Sequence, residues 1–403
     1  MSTSRALRSP LALRLTTVGF LGFWLVIAAF PLVWVVAISF KLPVDAFSSN
    51  PFHVLIGPIT RAADGGVSPL DILVGAAVLA AIYQAISARA QWLAQTLAPA
   101  GSAAVGWVLA SMIIAAVSFA VVVVLLPDLL RAIDAALGGL PGLGWLARPV
   151  IGATWEHYRA VWIDHGFTRN FVNSMVVTAG VVTISLFVGT LAGYALARTR
   201  SNLAFWLLIA ALIFRALPPS VLVAGYLPAF ITSREWLQPL WNAPLLGDLL
   251  RLLSPAPPTL YGKPWAAIGA LVAINQPFTI WMLRSFFHNI PVELDEAAQV
   301  DGCSTFGAFR RVIMPVMWPG VVTTGLFAFL LAYNDYLVCA MLLDAQSQTM
   351  VPAITQYFNR ETTTTDQVEA VAAAVSITAP LFLLVMVFQR QLVSGLTAGA
   401  VKG

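Results

Sequence analysis

The sequence predicts an all-α polytopic membrane protein with about eight transmembrane helices. Three observations point there. The 403 residues are 59% hydrophobic and only 10% charged, whereas a soluble domain carries roughly 25% charged residues. The mean hydropathy of +0.84 agrees. Several apolar runs reach the ~20 residues that a helix needs to cross a bilayer. Backbone polar groups must be satisfied within lipid, so such runs are helices rather than open sheet.

The first run, roughly 18–40, follows Arg5, Arg8 and Arg14. It is longer than the ~7–15 residues of a signal-peptide core, so it reads as a retained anchor with its start in the cytoplasm. Further spans are expected near 70–88, 102–126, 171–196, 204–230, 265–287, 316–342 and 368–389. The pair 70–88 and 102–126 returns the chain to the same side, so removing it leaves six spans with unchanged orientation. Cytoplasmic parts then carry Arg89, Arg198, Arg200, Arg284, Arg310, Arg311, Arg390 and Lys402 in short loops, as the positive-inside rule prefers. Both termini fall inside. The outer segments are 127–170, a proline-rich 231–264, and 343–367. The net charge of +4 is spread thinly and follows topology, not nucleic-acid binding. Expected units are an anchor (1–40), an insert (41–154), a core (155–389) and a tail (390–403).

The polar island Glu296 to Pro315, EAAQVDGCSTFGAFRRVIMP, lies between two apolar runs. Pro291 suits a first helical position. Glu293, Asp295 and Glu296 crowd the first turn, where the helix dipole favours negative charge. Asp301-Gly302 signals a stop, because glycine tolerates the left-handed cap. Ser304 is placed to cap a second helix with Phe306, Phe309 and Ile313 on one face. The expectation is a compact helix–turn–helix on the membrane surface, with Pro315 opening the next span.

That island resembles the EAA loop of ABC-importer permeases, with Glu296, Ala297, Ala298, Gly302 and Pro315 in register. Val312 and Met314 stand where Ile and Leu are usual. From about Trp155 onward the chain is similar to the MalG-type branch of carbohydrate permeases, through FTRNFVNS, GYALARTR, RALPPS, INQPFTIWMLRSFF, FAFLLAYNDY and the closing AGAVKG. The resemblance implies a six-span MalG-like ABC permease core plus the inserted helix pair. It also implies a second permease subunit of MalF type, an ATPase dimer of MalK type and an extracytoplasmic solute-binding protein. The location implied is a bacterial inner membrane. ATP and magnesium would sit on the partner ATPase. This agrees with a chain whose only lysines, Lys41, Lys263 and Lys402, lie in no P-loop string, so no cofactor is expected here.

The same resemblance implies roles for particular residues. Glu296, Ala297, Ala298, Asp301, Gly302, Phe306, Phe309 and Pro315 would couple to the ATPase, with Phe306 and Phe309 buried in its cleft as anchors. Gly399, Ala400, Val401, Lys402 and Gly403 would reach between the ATPase subunits, from a tail that is poorly suited to helix after Leu392. Tyr357, Phe358, Asn359 and Arg360 would probe the binding protein.

Charged or amide side chains inside spans are costly, so Arg215, Asn275, Gln276, Asn334 and Asp335 are candidates for the translocation path. Structural bonding is the competing reading: an Arg215–Asp335 pair, and helix gluing by Asn275 and Gln276. Cys303 and Cys339 lack metal spacing, and His53, His157, His165 and His288 lie far apart with no nucleophile signature. No metal site or catalysis is expected. The leading function is therefore the non-catalytic membrane subunit of a sugar importer, for an alpha-glucoside or other oligosaccharide. Permeases for polyols or glycerophosphodiesters are the near alternative. An ion-coupled secondary transporter would require several intramembrane acids, of which Asp335 is the one clear case.

Overall fold

A computed structural model describes residues 11–78, 148–199, 201–244, 259–358 and 363–398, with isolated positions between 80 and 146 and at 248 and 251. The first helix, α1 (Leu11–Ser39), carries Pro31 inside it. None of its apolar window is buried within the chain, so lipid or another subunit must cover it. Its C-terminal end leads into a small folded cap.

Three short helices of that cap, α2 (Pro43–Ala46), α3 (Pro51–Ile56) and α4 (Pro58–Asp64), each begin with proline, where the missing N–H is harmless. Strand β1 (Gly66–Val67) pairs antiparallel with β2 (Ile151–Gly152). Helix α5 (Pro69–Val78) opens on a reciprocal cap: Ser68 N donates to Asp71 Oδ2 at 2.8 Å and Asp71 N donates to Ser68 Oγ at 3.1 Å. Most of the expected helix pair 70–88 and 102–126 lies outside the described residues. The cap is pinned from inside. Lys41 Nζ donates to Gly152 O, and Asp45 Oδ2 accepts from Thr60 N at 2.6 Å and Thr60 Oγ1 at 2.8 Å. A ring nitrogen of His157, on α6 (Glu156–Arg159), lies 3.0 Å from Lys41 O.

A π turn (Ala160–Asp164) leads to α7 (Phe167–Arg198), the central helix of the core. It packs against α11 (Pro264–His288) and α14 (Met314–Tyr333). The approach to α11 is close because α7 offers small residues: a Cβ on Gly193 would sit 3.0 Å from Leu283 Cβ and 3.1 Å from Arg284 N. Leu186, Leu283, Phe287, Ile313, Leu326 and Phe329 are buried in the larger of two apolar clusters.

The single span expected at 204–230 is instead two helices, α8 (Asn202–Arg215) and α9 (Pro219–Ile231). With α10 (Ser233–Trp241) following α9, the chain bends by 94° there. Pro218-Pro219 explains the break, since residues before proline are driven out of the helical region. The span expected at 316–342 stops at Tyr333, and a separate α15 (Leu337–Leu342) follows. The Asp335 carboxylate takes the N–H of Cys339 at 3.1 Å and so organises the restart.

After α16 (Met350–Phe358), helix α17 (Thr364–Ala398) supplies the last segment. It runs past the expected end at 389, so the stretch after Leu392 is helical as far as Ala398, contrary to the expectation from its small residues. Among the described residues, four helices are long and apolar enough to cross a membrane, or five if the bent pair counts as one span.

Candidate coupling loop and transport cavity

The island between α11 and α14 folds as its local chemistry dictates. Helix α12 (Glu293–Val300) carries Glu293, Asp295 and Glu296 in its first turn. Gly302 ends it at φ +87°, a left-handed conformation open to glycine. Ser304 caps α13 (Thr305–Ala308), its Oγ accepting from Gly307 N at 3.2 Å. A π turn (Phe309–Ile313) then runs directly into α14. Pro315 lacks the N–H that an α-helix would donate four residues back, and its ring crowds that carbonyl, so a wider turn just before it is the expected accommodation.

Exposure divides the loop into two faces. Glu296, Ala297, Asp301, Gly302, Arg310 and Arg311 are exposed. Phe306 is 64% exposed. A shallow cavity of about 400 Å³ at the turn is lined by Gly302, Cys303, Ser304, Phe306, Gly307, Arg310 and Arg311. Phe309 corrects the sequence reading. It is 7% exposed and packs inside the chain, its ring 4.8 Å from Tyr194 and 6.3 Å from Phe287. Only Phe306 of the pair is free to anchor a partner. Ala298 is buried as well, so its small size serves packing under α12.

Asp295 is the residue that sequence reasoning undervalued. Its Oδ1 accepts from Tyr194 Oη at 2.6 Å and its Oδ2 from Arg198 Nε at 2.8 Å. Arg198 Nη1 also donates to Phe287 O and Ile290 O, at 3.3 and 3.2 Å. The α12 helix is thus latched to the C-terminal end of α7. The available signal was Tyr194 and Arg198, four residues apart on one helical face in GYALARTR.

A second feature lies at the bend of α8 and α9. A cavity of about 740 Å³ is lined by Arg215, Ser220, Asn334 and Asp335, with Phe278, Phe327 and Tyr336 among the aromatic walls. Arg215 lies over the Phe278 ring, 4.7 Å from its centroid, and its Nε has no hydrogen-bond partner among the described residues. Arg215 and Asp335 share the cavity, yet no ion pair joins them among the described residues. Asn275 and Gln276 do not line it. Asn275 is buried, and Gln276 Nε2 donates to Ser185 O on α7 at 3.3 Å, so Gln276 serves as helix glue. Tyr357 and Phe358 fall in the last turn of α16. Asn359, Arg360 and Gly399 to Gly403 lie outside the described residues.

A set of apolar helices, four of them long enough to cross a membrane among the described residues, with a latched helix–turn–helix between two of them, is the architecture of a membrane permease subunit. Residues 171–397 match the family described as binding-protein-dependent transport system inner membrane component. The chain belongs to that family, the membrane permeases of ABC transporters. Among its relatives is the diacetylchitobiose uptake system permease DasC of Streptomyces coelicolor, 35% identical over 62% of this chain and 81% of that one. The trehalose permease SugB of Mycobacterium tuberculosis is 30% identical over 62% of this chain and 82% of its own length. The trehalose/maltose permease MalG of Thermococcus litoralis is 28% identical, with 62% and 82% covered.

Proposed function

We propose that the chain is the sugar-translocating subunit of an ATP-driven importer, paired with a second permease, two ATPase subunits and an extracytoplasmic solute-binding protein. The observation that carries this reading is the EAA-type loop, with Glu296 and Phe306 exposed on a scaffold locked to α7. Closure of the ATPase pair around ATP would push this loop, and α7 and α14 would turn with it. Glu296 offers a carboxylate to a basic group on the ATPase, and Phe306 an aromatic anchor. ATP and magnesium act on the ATPase chains alone. The tail beyond Ala398 reaches the same partners, and the outer segment around Tyr357 to Arg360 meets the binding protein.

Support for a carbohydrate comes from the relatives and from the 740 Å³ cavity. Aromatic walls suit the C–H faces of a sugar ring, while Arg215, Ser220, Asn334 and Asp335 suit its hydroxyls. A bacterial inner membrane with both termini in the cytoplasm follows from this reading.

Reconstitution tests it. Complexes of all partners in proteoliposomes should take up a labelled disaccharide or oligosaccharide with ATP inside. The double variant Glu296→Arg, Gly302→Pro should insert in the membrane and lose ATPase association. Co-purification of a normal ATPase complex with that variant would reject the coupling role. Cys303, half-buried in the loop, should react with an impermeant maleimide only from the cytoplasmic side, whereas Cys339 is buried. Labelling of Cys303 from outside would reject the orientation.

A further inference from the structure

Helix α7 is held by polar side chains at both of its ends. The C-terminal end carries the Tyr194–Arg198–Asp295 latch to the coupling loop. The N-terminal end carries a second grip. Asn170 Nδ2 donates to Gln348 O at 2.9 Å. Asn173 Nδ2 donates to Gln346 O at 2.9 Å and to Gln348 O at 3.1 Å. Ser174 Oγ accepts from Met350 N at 2.8 Å.

Positions 170, 173 and 174 follow the i, i+3, i+4 spacing of one helical face. All four bonds go to main chain, so they hold the course of segment 346–350 whatever its side chains. The end of the segment is also held by packing: Thr349 and Met350 are buried, and Tyr333 Oη lies 3.8 Å from Met350 Sδ. Asp344 Oδ1 accepts from Gln346 N at 3.1 Å and from Ser347 N at 2.8 Å, and Leu342 O accepts from Gly262 N at 2.9 Å just before it. Segment 346–350 leads straight into α16, the helix that ends at Phe358.

A helix rises about 1.5 Å per residue, so the two grips stand roughly 40 Å apart on one continuous rod. With its backbone bonds satisfied internally, such a rod carries rotation and axial shift from end to end, and rigid secondary elements of this kind are among the structures that carry coupling between distant sites. We infer that Asn170, Asn173 and Ser174 are positioning residues that make the external 346–350 segment follow the cytoplasmic coupling loop through α7. They would thereby report the state of the ATPase at the face where the solute-binding protein docks. This rests on the importer reading above.

The test uses the assembled transporter in nanodiscs and hydrogen–deuterium exchange, comparing the nucleotide-free state with the state trapped by ATP and vanadate. In the unaltered complex, peptides covering 293–313 and 343–350 should both change on trapping. Asn170→Asp with Asn173→Asp keeps size but replaces donors by carboxylates facing carbonyl oxygens. In that variant the change at 293–313 should persist, and the change at 343–350 should fall by about tenfold or more. Asn170→Gln with Asn173→Gln keeps the amide donors and should recover part of the response, which a general loss of folding would not allow. An undiminished response at 343–350 in the Asp variant overturns the proposal. Absence of any change at 293–313 in the unaltered complex overturns the importer reading and the proposal with it.

Discussion

Alanine at Asp295 should release the coupling loop without dissolving the helical core. The Asp295 carboxylate is 7% exposed and the Arg198 side chain 16%, so solvent screens their contact little. Removing one partner of a buried pair costs about 3–5 kcal/mol. Arg198 would keep its bonds to Phe287 O and Ile290 O, which places the cost at the lower end, about 3 kcal/mol. At 1.36 kcal/mol per decade that is roughly a hundredfold rise in local opening. The assay is amide exchange in detergent or nanodiscs, read at the α12 amides Ala297 to Asp301. These should exchange about a hundredfold faster, while amides in α11 stay as they were. Arg198→Ala should do nearly the same, and the double variant should cost less than the sum of the two, because both remove one interaction. If α12 in Asp295→Ala exchanged within roughly fivefold of the unaltered chain, the latch would not be what holds the loop.

The two phenylalanines of the loop should separate cleanly. Phe309→Ala empties a buried site and should lower unfolding stability by about 3–5 kcal/mol in a denaturant titration, whereas Phe306→Ala should leave stability within about 0.5 kcal/mol and weaken ATPase co-purification. Gly302 sits at φ +87° with nothing within 4 Å of a would-be Cβ, so its restriction is purely conformational. Gly302→Asn should be tolerated better than Gly302→Val, which should cost roughly 1–3 kcal/mol of local strain and appear as faster exchange around the turn. In the cap that follows α1, burial lowers the Lys41 ammonium to about 8, with Asp45 opposing the shift. Its unfolded counterpart holds its proton to higher pH, so cap stability should rise from pH 8 upward. The rise should turn over near the ordinary tyrosine range, because burial holds Tyr158 protonated only in the folded state. Burial also lowers His157, so stability should fall as pH drops below its ordinary range. Thermal melts from pH 5 to 10 would check the curve, and Lys41→Met should abolish the alkaline rise.

Much of the coupling loop was legible because it is governed by local rules. The acidic first turn, the Gly302 stop and the Ser304 cap depend on residues within a few positions of one another, and each appears where the sequence placed it. What the sequence obscured depends on contacts across the chain. Phe309 carries the same helical-face signal as Phe306, and only the approach of Tyr194 and Phe287 decides that it turns inward. Asp295 looked like a dipole partner because its second role is supplied from about a hundred residues away in sequence. Hydropathy merged α8 with α9 and α14 with α15, since an apolar run does not reveal a bend. In the first case the signal was present in Pro218-Pro219. In the second it lay in Asp335, a carboxylate able to capture backbone N–H groups and restart a helix.

The charges of this chain fall into two kinds, and the division bears on what it does. Arg198 with Asp295, Lys41 with Gly152 O and Asp45 with Thr60 are enclosed and bonded within the chain. They fix where elements sit: the helix–turn–helix loop on α7, and the small cap on the end of α1. Arg215 and Asp335 share an open cavity with no ion pair between them among the described residues, and Glu296, Arg310 and Arg311 stand in the open on the loop. Within the chain Arg215 lies over the Phe278 ring and Asp335 accepts from Cys339 N, so each is met separately, and Arg215 keeps an Nε with no hydrogen-bond partner among the described residues. Enclosed charges therefore fix the framework, and the open ones stand on it at the cavity and on the loop.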